Sequence, residues 1–176
     1  MKETTVTTDT VGLPVTLAEV KAHLVIDADF TADDTLLTAY ITASRQLLEK
    51  HTNRSFGAKT LKCYTDLYEL TLLYGPNQVI TGILDEDGEA LVLDTDYEVN
   101  LSSENLKVTI SGGNSPYRIT YTAGYTTLPE ALKMAIKEQV KYFYNNRGEG
   151  EQESKLCFSS KVLADSYSNN LYLIAE

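Results

Sequence analysis

The spacing of apolar residues divides the chain into helical and extended stretches. Between Leu36 and His51, apolar residues recur every three or four positions, which predicts a long amphipathic helix over Asp33 to Thr52. A similar stripe follows Pro129 and predicts a second long helix over Leu128 to Arg147. The two stripes predict that these helices pack together, with Leu47 and Val140 in the shared core.

A shorter helix is predicted upstream, over Thr16 to Leu24. Thr16 and Glu19 have the spacing of a capping box, in which each residue satisfies a free backbone N–H at the start of the helix. Residues 1–12 are rich in threonine and show no periodicity, which predicts a flexible or partner-bound lead.

From Lys59 to Thr126 the apolar period changes to two, as expected for strands. An Asp87-Gly88 pair between two apolar runs is a strong hairpin signal, because glycine accepts the positive φ that such turns need. The pattern predicts an antiparallel β unit. Its strands are expected at residues 60–65, 70–74, 78–84, 89–93, 97–101, 105–110 and 117–123.

These elements together predict an α+β fold: a small bundle of three helices with an inserted antiparallel β unit and an extended C-terminal tail. Residues 1–54 would hold the lead and two helices, and residues 55–126 an acidic β insertion. Residues 127–148 would add the third helix that completes the helical core. Residues 149–176 would form a C-terminal arm.

The predicted arm begins with polar residues at 149–154, which suit a hinge. Its large apolar residues are too irregularly spaced for one amphipathic helix, and they are too many for a solvated tail. We therefore expect an arm that binds a partner. The alternative is that the segment folds back as one more strand or short helix of the β unit. The nine apolar residues are Leu156, Phe158, Val162, Leu163, Tyr167, Leu171, Tyr172, Leu173 and Ile174.

Composition and charge narrow the class of protein. The chain has 176 residues and a formal net charge of −10, and its lysines and arginines form no cluster. Tight binding to nucleic acid or to an anionic membrane is therefore disfavoured, because both need clustered positive charge. No stretch approaches the roughly 20 apolar residues of a membrane span, and no signal peptide is evident. We expect a soluble, intracellular chain with reduced thiols.

Few residues have the chemistry of an active site. His23 and His51 both fall on predicted helices, where a packed histidine is the expected role, and Cys63 is expected to be a buried apolar residue. A general base would need a nucleophile nearby, and the sequence identifies none. We expect no catalytic site, no metal and no cofactor, and therefore not an enzyme but a structural or binding protein.

Acidic residues crowd one predicted hairpin tip and one later turn. The run from Asp94 to Glu98 superficially resembles a calcium loop, but Val99 and Asn105 stand where that loop needs glycine and glutamate. A solvated turn is the expected role of the hairpin cluster. That cluster consists of Asp85, Glu86, Asp87 and Glu89.

The order of these elements, together with several short sequence strings, resembles the head–tail connector proteins of tailed bacteriophages, also called head-completion adaptors. The resemblance extends over about residues 13–147. It is carried by the strings LPVTLAEVKAHL at 13–24, DDTLL at 33–37, LEKHTNRSF at 48–56, ITYTAGY at 119–125, LPEALK at 128–133 and YNNR at 144–147.

The resemblance implies a structural virion protein of the neck, made in the host cytoplasm. Such proteins form a ring beneath the portal, usually twelvefold, which extends the DNA channel and docks the stopper or tail-completion protein. Double-stranded DNA would pass without tight binding, and the nine apolar residues of the arm would contact the portal. Two alternatives remain: a stopper or tail-terminator ring, or a small packaging accessory that acts on nucleic acid.

Overall fold

The computed structural model describes residues 2–9, 12–102, 105–147 and 155–168. The chain separates into two compact units, which we call the β unit and the helical unit. The β unit comprises Met1–Val11 and Arg54–Thr127, and the helical unit comprises Gly12–Asn53 and Leu128–Glu176. Among the described residues, no helix is both long and apolar enough to span a membrane.

The described part of the helical unit contains four helices. The predicted capping box at the first helix is confirmed: the Thr16 N–H donates to Glu19 Oε2 at 2.7 Å, and the Glu19 N–H donates to Thr16 Oγ1 at 3.2 Å. The helices are α1 (Leu17–Leu24), α2 (Asp34–Thr52), α3 (Glu130–Asn145) and α4 (Phe158–Asp165).

The two long helices pack together, as their stripes predicted. The rings of Tyr40 on α2 and Phe143 on α3 lie 5.5 Å apart. Val140 is fully buried, as expected, whereas Leu47 is only half-buried because its neighbour Leu48 takes the core position. The fully buried apolar residues of these helices are Leu37, Ile41, Leu48, Leu132, Ala135, Ile136 and Val140.

The C-terminal segment differs from the extended tail that the sequence predicted. Helix α4 makes a fourth helix, and it packs against α3 and α2 of the helical unit. The prediction was wrong here because α4 turns Ser160 and Ala164 inward, and both are fully buried. Small residues four apart let helices approach closely, but they leave no apolar stripe in the sequence.

The β unit contains two antiparallel sheets. The strands predicted at residues 97–101 and 105–110 are confirmed as β5 (Tyr97–Ser102) and β6 (Asn105–Ile110), which pair directly along their length. One sheet has the order β1-β2-β7-β4 and the other the order β3-β6-β5. The strands are β1 (Lys2–Asp9), β2 (Lys59–Thr65), β3 (Glu69–Thr71), β4 (Val79–Leu84), β5 (Tyr97–Ser102), β6 (Asn105–Ile110) and β7 (Tyr117–Ala123).

Two stretches of the β unit differ from the prediction. The expected lead over residues 1–12 contains β1, which pairs with β2 as an edge strand. Its threonines are mostly exposed, so it shows none of the alternation that marks a half-buried strand. Residues 89–93 do not form a strand and keep two isolated bridges, one between Leu84 and Ala90 and one between Leu93 and Tyr97.

The acidic hairpin tip is only partly the solvated turn that was expected. Asp85 is buried, while the three other carboxylates of the cluster are exposed. Asp85 Oδ1 accepts a hydrogen bond from the Glu89 N–H at 2.9 Å, and Asp85 Oδ2 accepts one from the Asn114 N–H at 3.3 Å. Gly113, at φ +70°, lies so close that a Cβ there would come within 3.1 Å of the Asp85 Cβ. Asp85 therefore joins two turns of the β unit.

Candidate docking surface of the helical unit

A buried glutamine on α3 holds the start of the C-terminal segment. Gln139 is fully buried, and its Nε2 donates to the carbonyl of Lys155 at 3.1 Å. Its Oε1 accepts from the N–H of Cys157 at 2.8 Å. One side-chain amide thus satisfies a backbone donor and a backbone acceptor, as a neighbouring strand would. This clamp fixes the chain that leads into α4.

Two further contacts hold α4 in place. The buried hydroxyl of Ser160 donates to the carbonyl of Ala135 on α3 at 2.8 Å. At the other end of α4, His51 Nε2 lies 2.7 Å from Asp165 Oδ1, which joins α4 to α2. A buried polar group needs a partner, and Ser160 has one, whereas the contact between His51 and Asp165 is exposed to solvent. The helix is therefore positioned mainly by polar contacts and by small side chains.

Helix α4 exposes its largest apolar side chains. Phe158 is 82% exposed and Val162, one turn later, is 53% exposed. Leu156, Leu163 and Tyr167 are half-buried. The structure thus brings two of the predicted interface residues onto the outer face of α4. The other four predicted residues, Leu171, Tyr172, Leu173 and Ile174, lie outside the described residues.

A buried lysine holds the loop between α1 and α2. Lys21 is 6% exposed, and its ammonium donates to the carbonyls of Ala28 at 3.2 Å and Phe30 at 2.8 Å. The same ammonium lies 2.6 Å from Asp34 Oδ1 at the start of α2. A buried charge is tolerated when it is paired and its donors are satisfied, and Lys21 meets both conditions.

The far end of this loop is attached to α3. The Tyr144 hydroxyl donates to Asp33 Oδ2 at 2.7 Å, and Arg147 Nη1 lies 3.5 Å from the same oxygen. The hydrogen bond to Asp33 raises the pKa of Tyr144 above its ordinary value, because losing the proton would place two negative charges together. The loop is therefore fixed at both ends within the helical unit.

Sequence reasoning missed Gln139 and Lys21. Gln139 occupies an apolar position of the α3 stripe, and a polar residue in such a position was the available signal. Lys21 follows Val20 on a helix of only two turns, and its burial depends on a loop whose path no local pattern predicts.

Both histidines contact a carboxylate. His51 contacts Asp165, as described above, and His23 Nε2 on α1 lies 3.2 Å from Glu138 Oε1 on α3. A histidine held by a carboxylate can act as a general base when a nucleophile lies beside it. Here each histidine–carboxylate pair links two helices of one bundle. Cys63 is fully buried in the β unit, as predicted. Across the described ranges, no three His, Cys, Asp or Glu side chains form a group that could hold a metal ion.

The comparison with protein families gave one match. Residues 14–83 match the model of the phage gp6-like head-tail connector proteins. Residues 14–83 are thus similar to the connector family. This segment includes α1, the loop held by Lys21, α2 and the first three strands after α2. The family inferred from the sequence strings is confirmed. A comparison with curated proteins gave no match.

Solved structures extend the likeness to almost the whole chain. A chain from the neck of an empty gene transfer agent particle, computed with C6 symmetry, has a TM-score of 0.73 at 17% identity, and the match covers 95% of each chain. A chain from the virion of a native gene transfer agent particle has a TM-score of 0.73 at 19% identity, covering 94% of this chain and 95% of that one.

A third chain, from the neck of the native particle computed with C12 symmetry, has a TM-score of 0.70 at 18% identity and covers 95% of each chain. At these identities the likeness establishes the fold. The same fold therefore occurs in chains from gene transfer agent particles, two of them from the neck.

Proposed function

We propose that this chain is a structural virion protein, a head–tail connector that forms a ring beneath the portal. The ring would extend the DNA channel and dock the stopper or tail-completion protein, and its site of action would be the neck of the virion after synthesis in the host cytoplasm. The observation that carries this proposal is the match of residues 14–83 to the connector family. The fold shared with neck chains along nearly the full length supports it.

A twelvefold ring is the stoichiometry that we propose. A chain of this fold occurs in a neck computed with C12 symmetry, which is compatible with twelve copies. A ring requires a heterologous interface, in which two different surfaces of each copy meet and the rotation closes. The proposed role requires no catalysis. The polar contacts of the helical unit described above are consistent with this, because each holds a loop or a helix in place.

The outer face of α4 is the surface that we propose for the portal. Phe158 and Val162 lie one turn apart and are both more than half exposed. An apolar pair on a helix fixed by Gln139 presents its side chains without a large loss of conformational entropy on binding. The proposed portal contact also includes Leu156, Leu163, Tyr167, Leu171, Tyr172, Leu173 and Ile174.

The charge of the chain suits a channel through which DNA must move. With a net charge of −10 per copy, the ring as a whole would repel phosphate and would not trap it. We therefore propose that double-stranded DNA passes through the ring without tight binding. The same property weighs against a packaging accessory that acts on nucleic acid.

Inactivating the gene in its phage, followed by complementation, tests the role. We expect DNA-filled heads without tails, and we expect the intact gene supplied in trans to restore infectious particles. Tailed, infectious particles in the absence of the chain would contradict the proposed function. Electron microscopy of the lysate, together with a plaque count, gives both results.

A matched pair of variants tests the portal surface. Replacing Phe158 and Val162 with serine should abolish co-sedimentation with the portal while leaving the melting temperature within a few degrees of the unmodified chain. Lys161→Ser, on the same helix at an exposed position, is the control and should bind normally. Normal binding by the double variant would remove α4 from the proposed contact.

A further inference from the structure

The loop after α1 carries an apolar residue in a conformation that valine rarely adopts. Val25 ends α1 with φ 59° and ψ 39°, in the left-handed region. For a β-branched residue this is a true outlier, and glycine or asparagine is the usual choice at such a helix end. The side chain is also 92% exposed, so it gains nothing from burial within its own unit. Strain of this kind points to a role outside the monomer.

The same loop is rigid where it presents its second apolar residue. Phe30 is 46% exposed, and its carbonyl is held by the buried ammonium of Lys21. Between Val25 and Phe30, the Asp29 N–H donates to Asp27 Oδ1 at 3.0 Å, and the Phe30 N–H donates to the Asp27 carbonyl at 3.1 Å. A surface fixed in this way loses little conformational freedom when a partner covers it.

The loop is acidic, and a complementary surface lies on α3 of the same unit. Within the described part of the chain, neither Asp27 nor Asp29 forms an ion pair. On α3, Met134, Lys137 and Lys141 recur at helical spacing, with Met134 and Lys141 exposed and Lys137 half-buried. Lys137 lies near Glu19 on α1 of its own chain, and its charge adds to the hydrogen bonds of the capping box in lowering the pKa of that carboxyl. Lys141, in contrast, forms no ion pair with a described residue. Each surface combines apolar side chains with charge, and the two signs are opposite.

We propose that the Val25–Phe30 loop of one copy binds the Met134–Lys141 face of α3 on a second copy. The contact would pair Asp27 and Asp29 with Lys137 and Lys141, and it would cover Val25, Phe30 and Met134. Two different surfaces that meet in this way form a heterologous interface, which is the kind that closes a ring. The inference rests on the proposed ring assembly and names the surfaces that build it.

Charge exchange tests the contact on the full chain assembled with its portal. One variant carries Asp29→Lys with Asp27→Asn, in which asparagine keeps the side-chain oxygen that accepts from residue 29. The other carries Lys141→Glu with Lys137→Gln, in which glutamine removes the charge without placing a second carboxylate beside Glu19 of the same chain. Each should raise the concentration needed for ring assembly at least tenfold, as measured by mass photometry. An equimolar mixture of the two variants should also assemble, because alternating copies in a ring of even number pair opposite charges at every interface. The four changes combined in one chain should likewise recover assembly to within about threefold.

The outcomes separate this inference from the proposed function. If both charge variants assemble like the unmodified chain, or if the combined chain is no better than either, the proposed contact is wrong although the ring stands. If the unmodified chain forms no ring even with the portal, the proposed function fails and the contact fails with it.

Val25→Asn gives a second, independent test. Asparagine adopts the left-handed conformation readily, so the melting temperature should not fall, while the loss of the apolar contact should weaken assembly at least threefold. Thr31→Asn, at an exposed position beyond Phe30, is the control and should assemble normally. Unchanged assembly of the Val25→Asn chain would contradict the proposed contact.

Discussion

The β unit and the helical unit each bury one glutamine that bridges two backbone groups. In the β unit, Gln78 Nε2 donates to the Leu73 carbonyl and Gln78 Oε1 accepts from the Leu106 N–H, both at 2.6 Å. In the helical unit, Gln139 bridges Lys155 and Cys157 in the same manner. Each side-chain amide pairs with one backbone carbonyl and one backbone N–H, as a neighbouring strand would.

The two clamps differ in what else holds the segments they join. Beside Gln78, the Leu72 N–H donates to the Leu106 carbonyl at 2.8 Å, and the Tyr121 hydroxyl donates to the Leu73 carbonyl at 3.2 Å. Beside Gln139, the α4 segment is held mainly by side chains and buries small residues. Backbone ladders therefore support the β unit, whereas the C-terminal segment of the helical unit depends on a few side-chain contacts.

Truncation of the apolar core should have the largest effect, and it should be similar in both units. We expect Leu48→Ala on α2 and Ile119→Ala on β7 each to lower the free energy of unfolding by about 2–5 kcal/mol, because both residues are fully buried. Leu47→Ala is the control, with a clearly smaller loss, since Leu47 is half-buried. Chemical denaturation gives all three values. A larger loss for Leu47 than for Leu48 would contradict the assigned face of α2.

Replacing either buried glutamine should show how differently the two units depend on it. Replacing Gln139 or Gln78 with methionine keeps the volume and leaves two backbone groups without a partner, which should cost about 1–3 kcal/mol in either unit. Amide hydrogen exchange should distinguish them: the Gln139 variant should lose protection throughout α4, whereas the Gln78 variant should lose it chiefly at Leu106. Gln46→Met, at an exposed position of α2, is the control. Undiminished protection of α4 would show that the Gln139 clamp is dispensable.

High pH should weaken the β unit through Tyr121. Burial raises the pKa of Tyr121 well above the ordinary value of about 10. The stabilisation is thus present below pH 10 and is lost as the pH rises further, because the unfolded chain releases the proton first. We expect a loss of about 1.4 kcal/mol per pH unit above pH 10 from this group. The slope should be shallower in Tyr121→Phe, and an equal slope in both proteins would contradict the assignment.

The capping box should have the smallest effect. Thr16→Ala should cost about 1 kcal/mol, because it removes the side-chain acceptor at the start of α1. Hydrogen bonds from Thr16 hold the pKa of Glu19 below its ordinary value, so their contribution is present at neutral pH and is lost as the pH falls through the lowered pKa. Thr35→Ala, at an exposed position of α2, is a suitable control. Equal melting temperatures for Thr16→Ala and the unmodified chain would contradict the cap.

The sequence pattern predicted the elements that bury large apolar side chains. The stripes of α2 and α3 and the alternation of β2, β6 and β7 were visible because the core lies on one face of each. The stripe of α2 contains both Leu47 and Leu48, and the structure buries Leu48 fully but Leu47 only in part. Elements that lack such a face were missed: β1 is an exposed edge of threonines, and α4 buries Ser160 and Ala164.

Of the two candidate surfaces, the sequence indicated the outer face of α4 but not the loop that carries Val25. Apolar residues beyond position 155 indicated a partner, and the structure places Phe158 and Val162 on the outside of α4. The loop that carries Val25 gave no such signal, because its strain arises from a backbone angle and its rigidity from the buried Lys21. Both depend on the path of the loop, which no periodic pattern of apolar residues predicts.

The central claim is that this chain assembles into a ring on the portal. The most direct measurement is cryo-electron microscopy of the purified chain mixed with the portal ring of the same phage. We expect a closed ring of twelve copies seated on one end of the portal, with the outer face of α4 at the junction. A chain that remains monomeric at saturating concentration, or that binds the portal without forming a ring, would contradict it.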